Sequence, residues 1–263
     1  MIALAPNALT EGRGGYCYTR IFLNSMDNNE IIALREVVEQ TSLKHIAFIM
    51  DGNGRWATKR NQIRETGHRA GAENLKKIVR LCGDIGIHAV TVYAFSTENW
   101  KRPAMEVNAI MQLLDRFIKD AKEDNDKNNI RYVFLGDKSG LAPILADKCT
   151  ELERLTENNS SLLNIALNYG GRAELVQACR KLAERGGEIT EADVSAALYT
   201  GHCGDPDLIV RTAGEYRLSN FLLWQSAYAE LYFTDTLWPD FSEKDLSAAV
   251  MEFSRRKRRY GGV

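Results

Sequence analysis

The chain has 263 residues, 44% of them apolar and 26% charged, which is the balance of a globular protein with one large domain or two small ones. A formal net charge of −1 gives no overall field to hold nucleic acid through counterion release, so no nucleic-acid partner is expected and any anion must be bound by a local cluster. The five cysteines, Cys17, Cys82, Cys149, Cys179 and Cys203, stand far apart with no CxxC pair, which argues against a disulfide framework or zinc knuckle and for a reducing cytoplasm.

The apolar start at residues 2–9 is broken by Pro6 and lacks a basic leader, and no later run has the length of a membrane span, so neither a signal peptide nor a transmembrane helix is expected. The stretch through Ser25 is irregular, with Gly12, Gly14 and Gly15, and is expected to be disordered, with Met26 an alternative start. Residues 1–40 are read as a partly disordered extension and 41–263 as the domain that carries function.

From there, short apolar runs alternate with amphipathic segments. Residues 46–50 read as a buried strand, and Leu75, Ile78, Val79 and Cys82 have the spacing of one helix face. Residues 89–95 read as a second strand, followed by a longer helical stripe at Val107, Ile110, Met111, Leu114, Phe117, Ile118 and Ala121. Strands at 131–135, 162–167 and 208–210, a helix over 172–185 and a last helix from about Ser242 to Arg259 complete the pattern. This alternation predicts a single α/β domain with a central, mainly parallel sheet flanked by helices.

The polar motifs fall just after those strands. Asp51-Gly52-Asn53-Gly54-Arg55 follows the first, Ser96-Thr97-Glu98-Asn99 the second, Gly136-Asp137 the third, Asn168-Tyr169-Gly170-Gly171 the fourth and Arg211-Thr212-Ala213-Gly214-Glu215 the fifth. Ligands in open α/β sheets bind outside the carboxyl ends of the strands, so these loops are expected to converge on one cleft. The glycine-rich first loop is either a phosphate cradle or a plain tight turn, and it is not a Walker A loop. Gly52, Gly54 and Ala57 also satisfy G-x-G-x-x-A, but the acidic residue that a dinucleotide fold needs about 20 positions on would be Glu73, inside a helical pattern. A carboxylate at Asp51 beside bound phosphate calls for a cation such as Mg²⁺ between them, unless it merely caps the next helix. Arg55, Arg64, Arg102, Arg211 and Arg217 lie near predicted strand ends, where guanidinium groups suit phosphate.

At these residues the chain resembles the bacterial undecaprenyl diphosphate synthases, a family of cis-prenyltransferases. The resemblance is carried by residues 45–57, 67–71, 93–103 and 207–241, in order, and only the N-terminal stretch falls outside it. It implies an enzyme that adds isopentenyl diphosphate repeatedly to farnesyl diphosphate, giving undecaprenyl diphosphate, the precursor of the lipid carrier for cell-wall polysaccharide. It implies Mg²⁺ on Asp51, with Glu230 as a second metal-side carboxylate. Gly52, Asn53, Gly54, Arg55 and Arg64 would cradle the allylic diphosphate; Arg211, Arg217 and Ser219 would bind that of isopentenyl diphosphate. Asn99 and His68 match positions linked to condensation and proton removal, with Trp56, Ser96, Glu98, Trp100 and Arg102 in the same region. Arg259-Tyr260-Gly261 matches a C-terminal segment that completes the neighbouring subunit's site, so a homodimer is implied.

A hydrocarbon product also calls for an apolar tunnel, with the stripe 107–121 and Leu163, Ile165 and Leu167 as candidate walls or as plain core. The run Arg255-Arg256-Lys257-Arg258-Arg259 either complements a helix C-terminus or attracts anionic lipid, which would give a cytoplasmic enzyme loosely held at the inner face of the membrane. A non-catalytic partner subunit is the alternative of another class, and the presence of Asp51, Asn53, Arg55, Arg211, Arg217 and Glu230 argues against it.

Overall fold

The five residues of β1 (His45–Ile49) are all buried, so this strand needs neighbours on both edges and cover on both faces. The computed structural model, which describes residues 26–256, supplies both. β1 pairs with β2 (Ala89–Ser96) on one side and β5 (Leu208–Arg211) on the other. Beyond β2 come β4 (Ser161–Tyr169) and then β3 (Ile130–Leu135), and beyond β5 comes β6 (Glu230–Phe233). The order β3-β4-β2-β1-β5-β6 is parallel at every pairing, which bears out the predicted α/β class. β6 was not anticipated: four half-buried residues at a sheet edge leave no continuous apolar run to read.

Helices before, between and after the strands accompany the sheet: α1 (Asn28–Thr41), α2 (Asn53–Lys59), α3 (Arg64–Asp84), α4 (Ala104–Glu123), the single turn α5 (Asn125–Asn128), α6 (Pro143–Leu155), α7 (Gly171–Arg185), α8 (Glu191–Ala197) and α9 (Glu243–Arg255). Alternate residues of β1 serve different cores. Ile46 and Phe48 join Leu75, Ile78, Ile118, Leu152 and Val250 in the larger one, while Ala47 and Ile49 meet Ile209, Phe221 and Leu222 in the smaller.

The expected boundary at residue 40 falls inside α1. That helix starts with a reciprocal cap between Asp27 and Glu30 and buries Leu34 and Val38 in the same core as Leu246, Val250 and Phe253 of α9, so it is part of the domain. Residues 1–25, on which the disorder and alternative-start expectations rest, lie outside the described residues. Of the two expectations for the stripe, these residues meet the plainer one: Val107, Leu114, Ile118 and Ala121 of α4 and Leu163, Ile165 and Leu167 of β4 are buried in the larger core. A cavity of about 200 Å³ lies instead along another side of α4, lined by Ile63, His68, Ala109, Leu113 and Arg116 among others. Among the described residues no helix is long and apolar enough to cross a membrane.

Candidate active site

Asp51 leaves the carboxyl end of β1 with its backbone fixed from two sides, its carbonyl accepting from Thr212 Oγ1 at 2.7 Å and Trp238 N at 3.0 Å. Its Oδ1 accepts from Gly52 N at 2.7 Å. Gly52 has φ +105°, and a Cβ there would lie 2.9 Å from Leu237 Cδ2 and 3.0 Å from the Ala213 Cβ, so only glycine fits. Gly67 permits the next close approach, since a Cβ on it would sit 2.0 Å from the carbonyl oxygen of Asn53, where α3 crosses the loop. Asn53 donates Nδ2 to Met50 O at 3.3 Å, and its buried Oδ1 has no hydrogen-bond partner among the described residues.

The Asp51 carboxylate faces two arginines. Arg211 Nη2, at the end of β5, is 3.0 Å from Oδ2, and Arg55 Nη2, one turn into α2, is 3.7 Å from Oδ1. Arg211 is only 3% exposed, donates Nη1 to Ser219 Oγ at 2.8 Å and to the Arg217 carbonyl, and keeps a buried Nε with no partner among the described residues. Glu215 then joins Arg55, at 3.2 Å, to Arg217, at 2.5 Å. Asp51, Arg55, Arg211, Arg217 and Ser219, separated by up to 168 positions in sequence, thus form one cluster in which arginines outnumber carboxylates.

A second cluster surrounds Glu106 in the first turn of α4, 8% exposed. Its carboxylate meets Arg64 at 3.0 Å, Arg102 at 3.0 Å and His68 Nε2 at 3.3 Å. Burial raises the Glu106 pKa, but the His68 contact and the charges of Arg102 and Arg64 outweigh it and hold the carboxyl below its ordinary value. His68 is also lowered, chiefly by burial, which Glu106 offsets only in part, so the imidazole is neutral near pH 7. A Cβ on Gly54 would lie 3.0 Å from Arg64 Nε, so this cluster abuts the glycine-rich loop.

The third group is the turn after β2. Asn99 Oδ1 accepts from Ser96 N at 3.1 Å, and Trp100 Nε1 donates to Asn168 Oδ1 at 2.8 Å. Glu98 accepts from Asn220 Nδ2 at 3.0 Å; burial works to raise its pKa, but hydrogen bonds from the backbone, Asn220, Ser96 and Thr97 bring it below the ordinary value. Asn220 in turn accepts from Gly171 N at 2.7 Å through its carbonyl and from Arg172 N at 2.9 Å through Oδ1, tying the turn to α7 and to the Ser219 loop. That loop is held in the left-handed region at Ser219, Asn220 and Leu222, and Phe221 stacks on Tyr93 at 4.6 Å.

Two expected residues stand elsewhere. Trp56 turns its indole to Asp240, 2.6 Å away, under the guanidinium of Arg60. Glu230 opens β6 and pairs with Arg256 at 2.9 Å. Its partner in register is Leu208, three residues before Arg211, so it lies roughly 10 Å back along the strands from the Asp51 end. Within one chain the Asp51–Glu230 metal pair is therefore not formed, because a parallel register puts the two carboxylates at opposite strand ends. Arg259 lies outside the described residues. Glu106, Glu215 and Asn220 were missed; Glu215 and Asn220 sit inside a quoted motif, whereas nothing local marks Glu106, whose partners come from 42, 38 and 4 positions away.

No group of three or more His, Cys, Asp or Glu is placed to hold a metal among the described residues. A lone carboxylate at Asp51, amid arginines with an unpartnered buried donor, fits a cation that completes its shell with the oxygens of a bound anion.

Three comparisons bear on this site. Residues 49–261 match the Prenyltransf family model, undecaprenyl diphosphate synthase. The isoprenyl transferase of Fusobacterium nucleatum is 50% identical over 228 residues, covering 86% of this chain and 99% of that protein. The (2E,6E)-farnesyl-diphosphate-specific ditrans,polycis-undecaprenyl-diphosphate synthase of Salmonella paratyphi A is 46% identical over 84% of this chain and 90% of its own. Among solved structures, lavandulyl diphosphate synthase from Lavandula x intermedia, in complex with dimethylallyl diphosphate, superposes with a TM-score of 0.80 at 37% identity, covering 85% of this chain and 100% of that one. A probable undecaprenyl diphosphate synthase from Campylobacter jejuni gives 0.73 at 36% identity, over 84% and 99%. With a family model over most of its length and relatives near half identity, the chain belongs to the undecaprenyl diphosphate synthase family of prenyl transferases.

Proposed function

We propose that the chain condenses isopentenyl diphosphate repeatedly onto farnesyl diphosphate to make undecaprenyl diphosphate, the precursor of the lipid carrier for cell-wall polysaccharide. The observation that carries this reading is the Asp51–Arg211 contact at 3.0 Å, with Arg55, Arg217 and Ser219 around it and a spare buried donor on Arg211. The loop 52–55 and Arg64 take the allylic diphosphate; Arg211, Arg217 and Ser219 take that of isopentenyl diphosphate. Asp51 would hold Mg²⁺, which would supply neutralisation of the charge that develops on the departing diphosphate.

The chain's own groups do the rest. Arg55 and Arg64 stabilise the leaving group as the allylic carbon–oxygen bond breaks, and Arg211 and Ser219 aim the double bond of the second substrate at the cation. His68, neutral near pH 7, and Asn99, which braces the turn after β2 through Ser96 N, complete the reacting region. Turnover of labelled isopentenyl diphosphate with farnesyl diphosphate and Mg²⁺, with chain-length analysis of the product, tests the reading. Polyprenyl product is expected, and no incorporation would return the chain to the partner-subunit reading.

The enzyme is further proposed to be a homodimer in which Arg259 completes the neighbouring site. Asp51→Ala and Arg259→Ala, each inactive alone, then rescue each other on co-expression. Random pairing makes about half the dimers mixed with one intact site each, so activity returns to roughly one quarter. Mixed dimers without activity would assign Arg259 to its own chain.

A further inference from the structure

We propose that Glu215 is an internal stand-in for diphosphate, a positioning residue that holds Arg55 and Arg217 together in the free enzyme and couples the filling of the two anion subsites. The inference rests on the assignment of those arginines to different diphosphates. One carboxylate serves both, Oε1 at 3.2 Å from Arg55 Nη2 and Oε2 at 2.5 Å from Arg217 Nη1. The arginines come from distant elements, the first turn of α2 and the loop after β5, so the contact spans the cleft rather than decorating one helix.

The backbone at this point is fixed. Ala213 N donates to Thr236 O at 2.8 Å and Gly214 N to Thr234 O at 2.9 Å, and both residues have positive φ, 75° and 69°. Any release of Glu215 is therefore a side-chain rotation. The Glu215 side chain is 28% exposed and that of Arg217 60%, so each ion pair is partly screened and weak enough for a multiply charged anion to displace. Because the same carboxylate satisfies both arginines, an anion that expels it from Arg217 also frees Arg55. Filling one subsite thereby lowers the cost of filling the other, which is positive coupling between sites.

The sign of the effect separates this role from simple support of the loop. If Glu215 competes with diphosphate, Glu215→Gln tightens inorganic pyrophosphate binding in Mg²⁺-free buffer by roughly three- to tenfold, the scale of one or two screened pairs. The enhancement of isopentenyl diphosphate affinity by pyrophosphate that the proposal expects in the wild type should also vanish. Glu215→Asp, which keeps the charge, should retain both the competition and the coupling. Calorimetric titration of the three proteins reads each quantity directly. Equal or weaker pyrophosphate binding by Glu215→Gln, or coupling that survives in it, overturns the proposal. Failure of the wild type to bind pyrophosphate even with Mg²⁺ would instead overturn the diphosphate assignment on which it stands.

Discussion

The two ends of the same strands bury polar groups in opposite ways. At the amino end, Asp207 accepts from Lys44 N at 2.9 Å and His45 N at 3.0 Å, the His45 ring meets Thr91 Oγ1 at 2.7 Å, and Asn164 joins Thr91 at 3.0 Å and His202 at 3.0 Å. Burial lowers the His45 pKa to about 4, so its imidazole is neutral; most polar groups here answer one another, with His45 Nδ1 left without a partner among the described residues. At the carboxyl end, charges face charges, arginines exceed carboxylates, and a buried guanidinium nitrogen is left without a partner. A network of hydrogen bonds around one carboxylate and uncharged side chains serves the fold. An open charged one is stable only as a site that awaits an anion.

The largest effect that should sharpen this contrast comes from Arg211, which joins Asp51, Ser219 and the Arg217 carbonyl. Arg211→Ala should lower kcat/KM for isopentenyl diphosphate by about a hundred- to a thousandfold, since it removes charge stabilisation and orientation together. Steady-state kinetics in both substrates checks this, and a loss below tenfold would detach Arg211 from the chemistry. Arg217→Ala should act more on binding, raising KM for isopentenyl diphosphate roughly ten- to a hundredfold with a smaller change in kcat. A shift confined to the allylic substrate would exchange the two diphosphate sites.

At the amino end the expected effect is on stability and its pH dependence. The folded pKa of His45, about 4, lies below the ordinary 6.5, so the unfolded chain binds more protons between those values and stability rises with pH across that window. The contribution is complete above pH 6.5 and is lost as pH falls toward 4, which amounts to about 2 kcal/mol between pH 7 and pH 5. Urea unfolding of wild type and His45→Gln at the two pH values should show the wild-type loss and a smaller one in the variant. Equal slopes would mean that the His45 site does not exclude the charged ring.

The contrast between the ends was only half legible in the sequence. The buried strands β1, β2 and β4 are near-continuous apolar runs, and the motif after β1 follows at once, so the pattern places the cleft with Asp51, Arg55, Arg211 and Arg217, while Ser219 is implied only by the family resemblance. α1 was left outside the domain because Leu34 and Val38 acquire meaning only against α9. Glu106 sits in the first turn of a helix, just before its apolar stripe, and only the crossing of α3 and α4 turns it into the carboxylate that holds Arg64, His68 and Arg102. Motif proximity says nothing of register, and β6 places Glu230 at the amino end of its strand, away from Asp51 of the same chain.

The central claim, that function resides at the arginine-rich carboxyl end and structure at the hydrogen-bonded amino end, is tested most directly by measuring kcat and Tm together for one change at each end. Asp51→Asn keeps the shape of a partly exposed side chain and removes its charge, whereas Thr91→Val strips the buried hydroxyl that His45 and Asn164 share. The account predicts that Asp51→Asn lowers kcat by orders of magnitude with little loss of Tm, and that Thr91→Val costs about 1–3 kcal/mol of stability with kcat near wild type. Near-normal turnover by Asp51→Asn, or a loss of kcat in folded Thr91→Val as large as that in Asp51→Asn, would contradict it.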